Sequence, residues 1–234
     1  DIKARSMLYG YGTLILQGTL MTLALTVLSA LFSTLLGIVG ALCKTSGNKA
    51  LRYIAAAYTT VIRSVPDLVI MLLVFYNLQI FINWVCDMLG IGLIEINAFT
   101  AGVVTLAFIY GAYMTETFRG ALESVPRGQI EAALSTGMSD GQVFRKITLP
   151  QMIRFALPGF SNNLQVVIKS TALVSIIGLV DIISISQQAG RSTQHLFFFN
   201  ILAALIYLAF TCATLLALAR VGKRFGVGVK EAQL

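Results

Sequence analysis

Five long apolar stretches constrain this chain more than any other feature of its sequence. They cover residues of about 13–42, 66–85, 99–118, 159–183 and 196–219. At 1.5 Å of rise per residue, each can carry a helix across about 30 Å of hydrocarbon. Overall the chain is 57% apolar and only 12% charged, about half the charge of a soluble domain. A large soluble core does not account for that deficit. The alternating pattern of about ten residues per strand that marks a membrane barrel is absent. The fold class expected is therefore an all-α membrane protein with five transmembrane helices. A more amphipathic stretch over residues 51–63 precedes the second span and reads as a helix lying at the membrane surface.

Charge then orients the bundle. The formal net charge is +7, which in a soluble chain would suggest a nucleic-acid partner. Here the basic residues sort by membrane face instead, and no nucleic-acid partner is expected. Lys44, Lys49, Arg52 and Arg63 fall between the first and second spans. Arg119, Arg127, Arg145, Lys146 and Arg154 fall between the third and fourth, and Arg220, Lys223, Arg224 and Lys230 follow the fifth. Five crossings put these three segments on one face, and only Lys3, Arg5 and Arg191 on the other. Basic residues collect on the cytoplasmic side. The expected arrangement is thus a periplasmic N-terminal segment (1–12), a single membrane domain (13–219) and a cytoplasmic tail (220–234). The six residues ahead of Met7 read as an expression remnant or an alternative start.

Several chemistries drop out. Cys43, Cys86 and Cys212 lack zinc or redox spacing, and His195 is the single histidine, so no metal site is expected. The stretch from Gly40 to Gly47 lacks the Lys-Ser/Thr that follows the second glycine of a phosphate-binding loop. Neither ATP nor another cofactor is expected on this chain. No internal repeat supports a self-contained secondary transporter. No nucleophile–base or carboxylate pair stands at one membrane face, which disfavours a membrane enzyme.

One long loop, residues of about 120–159, carries helical punctuation. Residues 131–137 read as a short helix stopped by Gly137, where left-handed backbone is cheap. Ser139 and Gln142 have the spacing of a capping box and would start a second short helix, ended at Leu149-Pro150. Two short helices with paired alanines exposed at the bend form a low-bulk knob suited to a cleft on a cytoplasmic partner. On spacing alone, a surface-lying loop with no partner remains the alternative.

Glu131-Ala132-Ala133, then Gly137, then Ile147, Leu149 and Pro150 resemble the coupling signature of ABC importer permeases. Tyr113, Glu116, Arg119-Gly120-Ala121, Val125-Pro126, Gly128-Gln129 and the run from Lys169 to Leu173 are similar to the polar and basic amino-acid branch. Residues 7–10, 62–68 and 226–230, with Val65 and Ile70 in place of that branch's more usual Thr and Gln, narrow the likeness to the Q-type subunits of histidine and lysine–arginine–ornithine importers. The resemblance implies a type I importer permease fold and a loop that grips a separate ATPase. It also implies a paralogous M-type permease, two ATPase copies carrying ATP and Mg, a periplasmic amino-acid-binding protein and an inner-membrane location. Opine importers share most of these features. A channel or scaffold binding another cytoplasmic partner is the reading from a different class.

Charges inside the spans remain to be placed. Lys169 lies eleven residues after Pro158, about 16 Å along a helix, where a cation costs about 2.5–3.5 kcal/mol unless paired or wetted. Glu116 is the expected counter-charge, either in a bridge that locks helices or in a polar substrate path; Asn162 and Asn163 either bond backbone freed near Pro158 or face that path. Arg63, Pro66 and Asp67 read as a local cap and hinge. Tyr110 and Tyr113 read as packing residues, and Asp181 and His195 as solvated loop residues on the outer side.

Overall fold

A computed structural model describes residues 8–92 and 94–225. Helix α1 (Gly12–Thr45) is followed by α2 (Lys49–Ser64), α3 (Asp67–Met88) and α4 (Ala98–Glu123). Short α5 (Arg127–Ser135) and α6 (Asp140–Val143) lead through a π turn (Phe144–Thr148) into α7 (Leu149–Ser170). A 3-10 turn (Thr171–Ile177), α8 (Ile182–Thr193) and α9 (Leu196–Phe225) complete the described chain, in which no strand occurs. Among the described residues, α1, α3, α4 and α9 are each long and apolar enough to cross a membrane. Residues 140–177 and α8, bent by 58° between them, are long and apolar enough for a fifth span only when taken together.

Helix α4 is the centre of the bundle: 67% of its span is buried, against 6% for α9. Leu106, Ile109, Tyr110, Ala112, Met114 and Thr115 are fully enclosed. The face of α1 that meets α4 explains how two membrane helices come so close. The buried positions of α1 are mostly small and at helical spacing: Gly18 and Thr22 face the start of α8, and Ser29, Ser33, Gly37 and Ala41 follow, with Gly37 set against Met114 of α4. Lipid tails supply no hydrophobic drive between helices, so small residues that admit close van der Waals contact decide the pairing. The leucines on the other faces, such as Leu16, Leu20 and Leu35, stay exposed.

Proline chemistry sets one break where expected and fails to set two others. Val65 is extended (φ −105°, ψ 142°), because the following ring disfavours helical backbone. Helix α2 therefore ends at Ser64 and α3 restarts at Asp67. Arg63 and Asp67 do not share a continuous helix, and among the described residues they form no ion pair. Pro158, by contrast, lies inside α7, so the fourth apolar segment does not start there. Membrane helices tolerate proline because neighbouring groups re-satisfy the freed backbone. Leu149-Pro150 does not end the second short helix either: the π turn absorbs the ring's mismatch and the helix runs on. The real interruption comes later. Gly178 takes the left-handed φ of +93° after the 3-10 turn, and Asp181 caps α8 by accepting the Ser184 N–H at 2.9 Å.

Helix α9 continues past residue 220 to Phe225, while the motifs at Met7 and at 226–230 lie outside the described residues.

Candidate functional site

The coupling signature assembles around one shallow cleft. Helix α5 closes with a Schellman arrangement: Gly137 (φ +84°) donates to the Leu134 carbonyl at 3.0 Å and Met138 to that of Ala133 at 3.3 Å. This returns the chain on itself, as a glycine in left-handed geometry permits. Ser139 then donates its backbone N–H to the Gln142 side chain at 3.0 Å, which starts α6. Gln151 Nε2, in the first turn of α7, donates to Gln129 Oε1 at 2.6 Å and ties α5 to the rising helix. Ala132, Ala133, Ile147 and Pro150 all line the resulting cleft of about 520 Å³.

The two alanines are not equivalent. Ala132 is exposed whereas Ala133 is only 6% exposed, so the expectation of a pair of exposed alanines is corrected. Ala133 faces inward because its turn packs against the π segment, and Ala132, about 100° round the helix, faces out. Glu131 and Gly137 are exposed, and Leu149 is half-buried. Leu134 and Phe144 are 43% and 47% exposed on this same polar element. They break the phase of an inward-facing stripe, which is the sequence signal that would have marked them.

The buried charges pair differently from the sequence expectation. Glu116 meets Lys44 from α1, not Lys169. Lys44 also donates to Thr59 Oγ1 on α2 at 2.7 Å. The second Glu116 oxygen accepts from Arg119 Nε at 3.0 Å, and Arg119 reaches Glu123 at 2.6 Å. Helices α1, α2 and α4 are thus clamped at the end that bears most basic residues. Lys169 is exposed in this chain and, among the described residues, makes no ion pair. It stands at the C-terminal end of α7, which begins nine residues before Pro158.

A second polar cluster sits at the α2–α3 hinge. Tyr110 donates to Asp67 Oδ2 at 2.9 Å and is hydrogen-bonded to Ser170 on α7. Tyr113 donates to Asp67 Oδ1 at 3.3 Å, while the Arg63 guanidinium lies 5.5 Å from the Tyr113 ring centroid. The two tyrosines are therefore hydrogen-bonding struts as well as packing. Asn163 is buried, and its amide donates to Thr117 Oγ1 on α4 at 2.9 Å. Asp181 is fully buried rather than solvated, and beside it Thr22 accepts the Ile182 N–H at 3.2 Å. The Asp-x-x-Ser spacing after Gly178 is the helix-start signal that would have found it. His195 is exposed and lies 4.7 Å from the Tyr9 ring.

A bundle built on one buried helix, with a compact knob continuous with a crossing helix, is the framework of a membrane transport component. The family of binding-protein-dependent transport system inner membrane components matches residues 33–227, and the chain belongs to that family. It is 51% identical, over 97% of its length and 100% of the relative's, to the histidine/lysine/arginine/ornithine transport system permease protein HisQ of Escherichia coli. It is 36% identical to the octopine transport system permease protein OccQ of Rhizobium radiobacter, over 86% of each chain. Among solved structures, a chain of an amino acid ABC transporter crystallised with histidines superposes with a TM-score of 0.77 at 34% identity, covering 94% of this chain and 97% of that one. The MetNI methionine ABC transporter superposes at 0.71 with 21% identity, covering 92% of this chain and 97% of that one, a likeness of fold alone.

Proposed function

We propose that this chain is the Q-type permease subunit of an ATP-driven importer for basic amino acids in the bacterial inner membrane. The observation that carries the reading is 51% identity across the whole length of a permease named for histidine, lysine, arginine and ornithine. In this reading the chain pairs with a paralogous M-type permease, two cytoplasmic ATPase copies hold ATP and Mg, and a periplasmic binding protein delivers substrate. The N-terminus is periplasmic and the C-terminus cytoplasmic, as the distribution of Lys and Arg favours.

The geometry supports a mechanical route. The knob of α5 and α6 is the docking element, and exposed Ala132, Leu134 and Phe144 give it an apolar, low-bulk surface. Closure of the ATPase pair moves α6, which is continuous with α7 through the π turn. Helix α7 grips α4 through Asn163–Thr117 and through Phe160 stacked 6.0 Å from Phe118. Motion at the knob therefore reaches the central helix without crossing a flexible joint, which is what alternating access needs.

The 36% identity to an octopine permease favours a second reading, an opine importer. The importer reconstituted in proteoliposomes with its ATPase and binding protein separates the two. We expect ATP-dependent uptake of at least one of histidine, lysine, arginine and ornithine, dependent on the binding protein. Uptake of octopine alone would replace the substrate assignment, and no ATP-dependent uptake of any of them would overturn the function.

A further inference from the structure

We propose that a groove between α7 and α9 is a binding site for an anionic phospholipid of the inner leaflet. The groove has a volume of about 430 Å³ and a mainly apolar wall that includes Leu157, Pro158, Leu215 and Leu218. Arg154 is the cation in its lining, and among the described residues it makes no ion pair and no side-chain hydrogen bond. A half-buried guanidinium beside an apolar wall suits an amphiphile that carries a phosphate on an acyl body. The assignment to the inner leaflet rests on the orientation proposed above; the lipid chemistry does not.

Depth fits the same ligand. Ala219 and Gly222 also line the groove, and exposed Arg220 and Lys223 adjoin them in sequence. Ala219 lies about 6 Å along α9 from Lys223, and Leu215 about 12 Å. The groove thus runs from the level of the basic residues toward the hydrocarbon, as a headgroup and the start of an acyl chain do. Gly222 keeps the helices close, since a Cβ there would come within 2.9 Å of Leu157 Cδ2. A soluble anion would leave the apolar wall wet, and a neutral lipid would leave Arg154 without a counter-charge.

The site lies on the helix that continues from the knob, so a lipid there would brace α7 against α9 where motion enters. The test is native mass spectrometry of the assembled importer released from vesicles of phosphatidylethanolamine and phosphatidylglycerol. The wild-type complex should retain phosphatidylglycerol in preference to phosphatidylethanolamine. Arg154→Gln should reduce that retention about fivefold, the effect of one basic residue at a charged surface. Ala219→Trp, at an exposed position that leaves the fold intact, should remove it by filling the groove. Arg154→Lys should keep most of it, and Arg52→Gln, a basic residue of α2 away from the groove, should change nothing. Equal retention by Arg154→Gln or Ala219→Trp and wild type would overturn the site. So would quantitative cross-linking of Leu218→Cys to a partner subunit, because a protein would then fill the groove. Labelling of Ala219→Cys by an impermeant maleimide from the outside would overturn the leaflet assignment. Retention is read without transport, so failure of the uptake assay leaves it standing and the two failures are distinguishable.

Discussion

Replacing Glu116 with leucine is expected to destabilise the chain by about 3–5 kcal/mol, the usual cost of removing one partner from a mostly buried ion pair. The Lys44 and Glu116 side chains are only 14% and 17% exposed. Without Glu116, Lys44 keeps the Thr59 hydroxyl as its remaining polar partner, and its charge stays enclosed. Arg119 loses one carboxylate but retains Glu123, so the loss centres on Lys44. The double replacement Lys44→Met with Glu116→Leu should then recover most of the loss, since a buried pair exchanged for apolar groups of similar volume is often neutral. Melting of the detergent-solubilised complex, read as a double-mutant cycle, measures the coupling. Additive losses would mean that the two charges do not depend on each other.

A methyl group at Gly37 should be comparably damaging. A Cβ there lands on the Met114 Cβ and 3.0 Å from the Met114 backbone carbon, so the central helix itself must move. At Gly40 the added carbon meets Thr115, whose hydroxyl already donates to the Gly111 carbonyl at 2.8 Å. Overpacking of this kind costs about 1–3 kcal/mol, and more when backbone must yield. The displaced helices would also pull Lys44 from Glu116, adding to the loss. Gly120→Ala is the counterpart: nothing lies within 4 Å of its Cβ, and a helical glycine replaced without strain should gain about 0.4–1 kcal/mol. Membrane-inserted abundance and melting of Gly37→Ala and Gly120→Ala should therefore move in opposite directions. Equal behaviour would contradict the close approach of α1 to α4.

These two contacts show where sequence reading succeeds and where it stops. Apolar length is a local property, so four of the spans and the amphipathic α2 are legible from composition and period. The knob was legible too, because a glycine stop and a capping spacing act over three or four residues. Which helix brings the counter-charge to Glu116 depends on tertiary packing: Lys44 and Glu116 are 72 residues apart. Pro158 in isolation signals a helix boundary, whereas the bundle carries it within a helix. Asp181 follows a run of apolar residues, and its local sequence alone does not distinguish a solvated loop position from a buried cap. The left-handed turn at Gly178 folds it inward, against α1 at Thr22.

In the proposed function, the knob of α5 and α6 couples this permease to a separate ATPase. Co-purification of the ATPase with the intact chain and with Ala132→Trp tests it most directly. Ala132 is exposed and its neighbour Ala133 carries the inward packing, so the indole should leave membrane insertion unchanged. The account predicts wild-type amounts of chain in the membrane and little or no ATPase retained with it. A full complement of ATPase on Ala132→Trp, with ATP turnover still stimulated by the loaded binding protein, would contradict it.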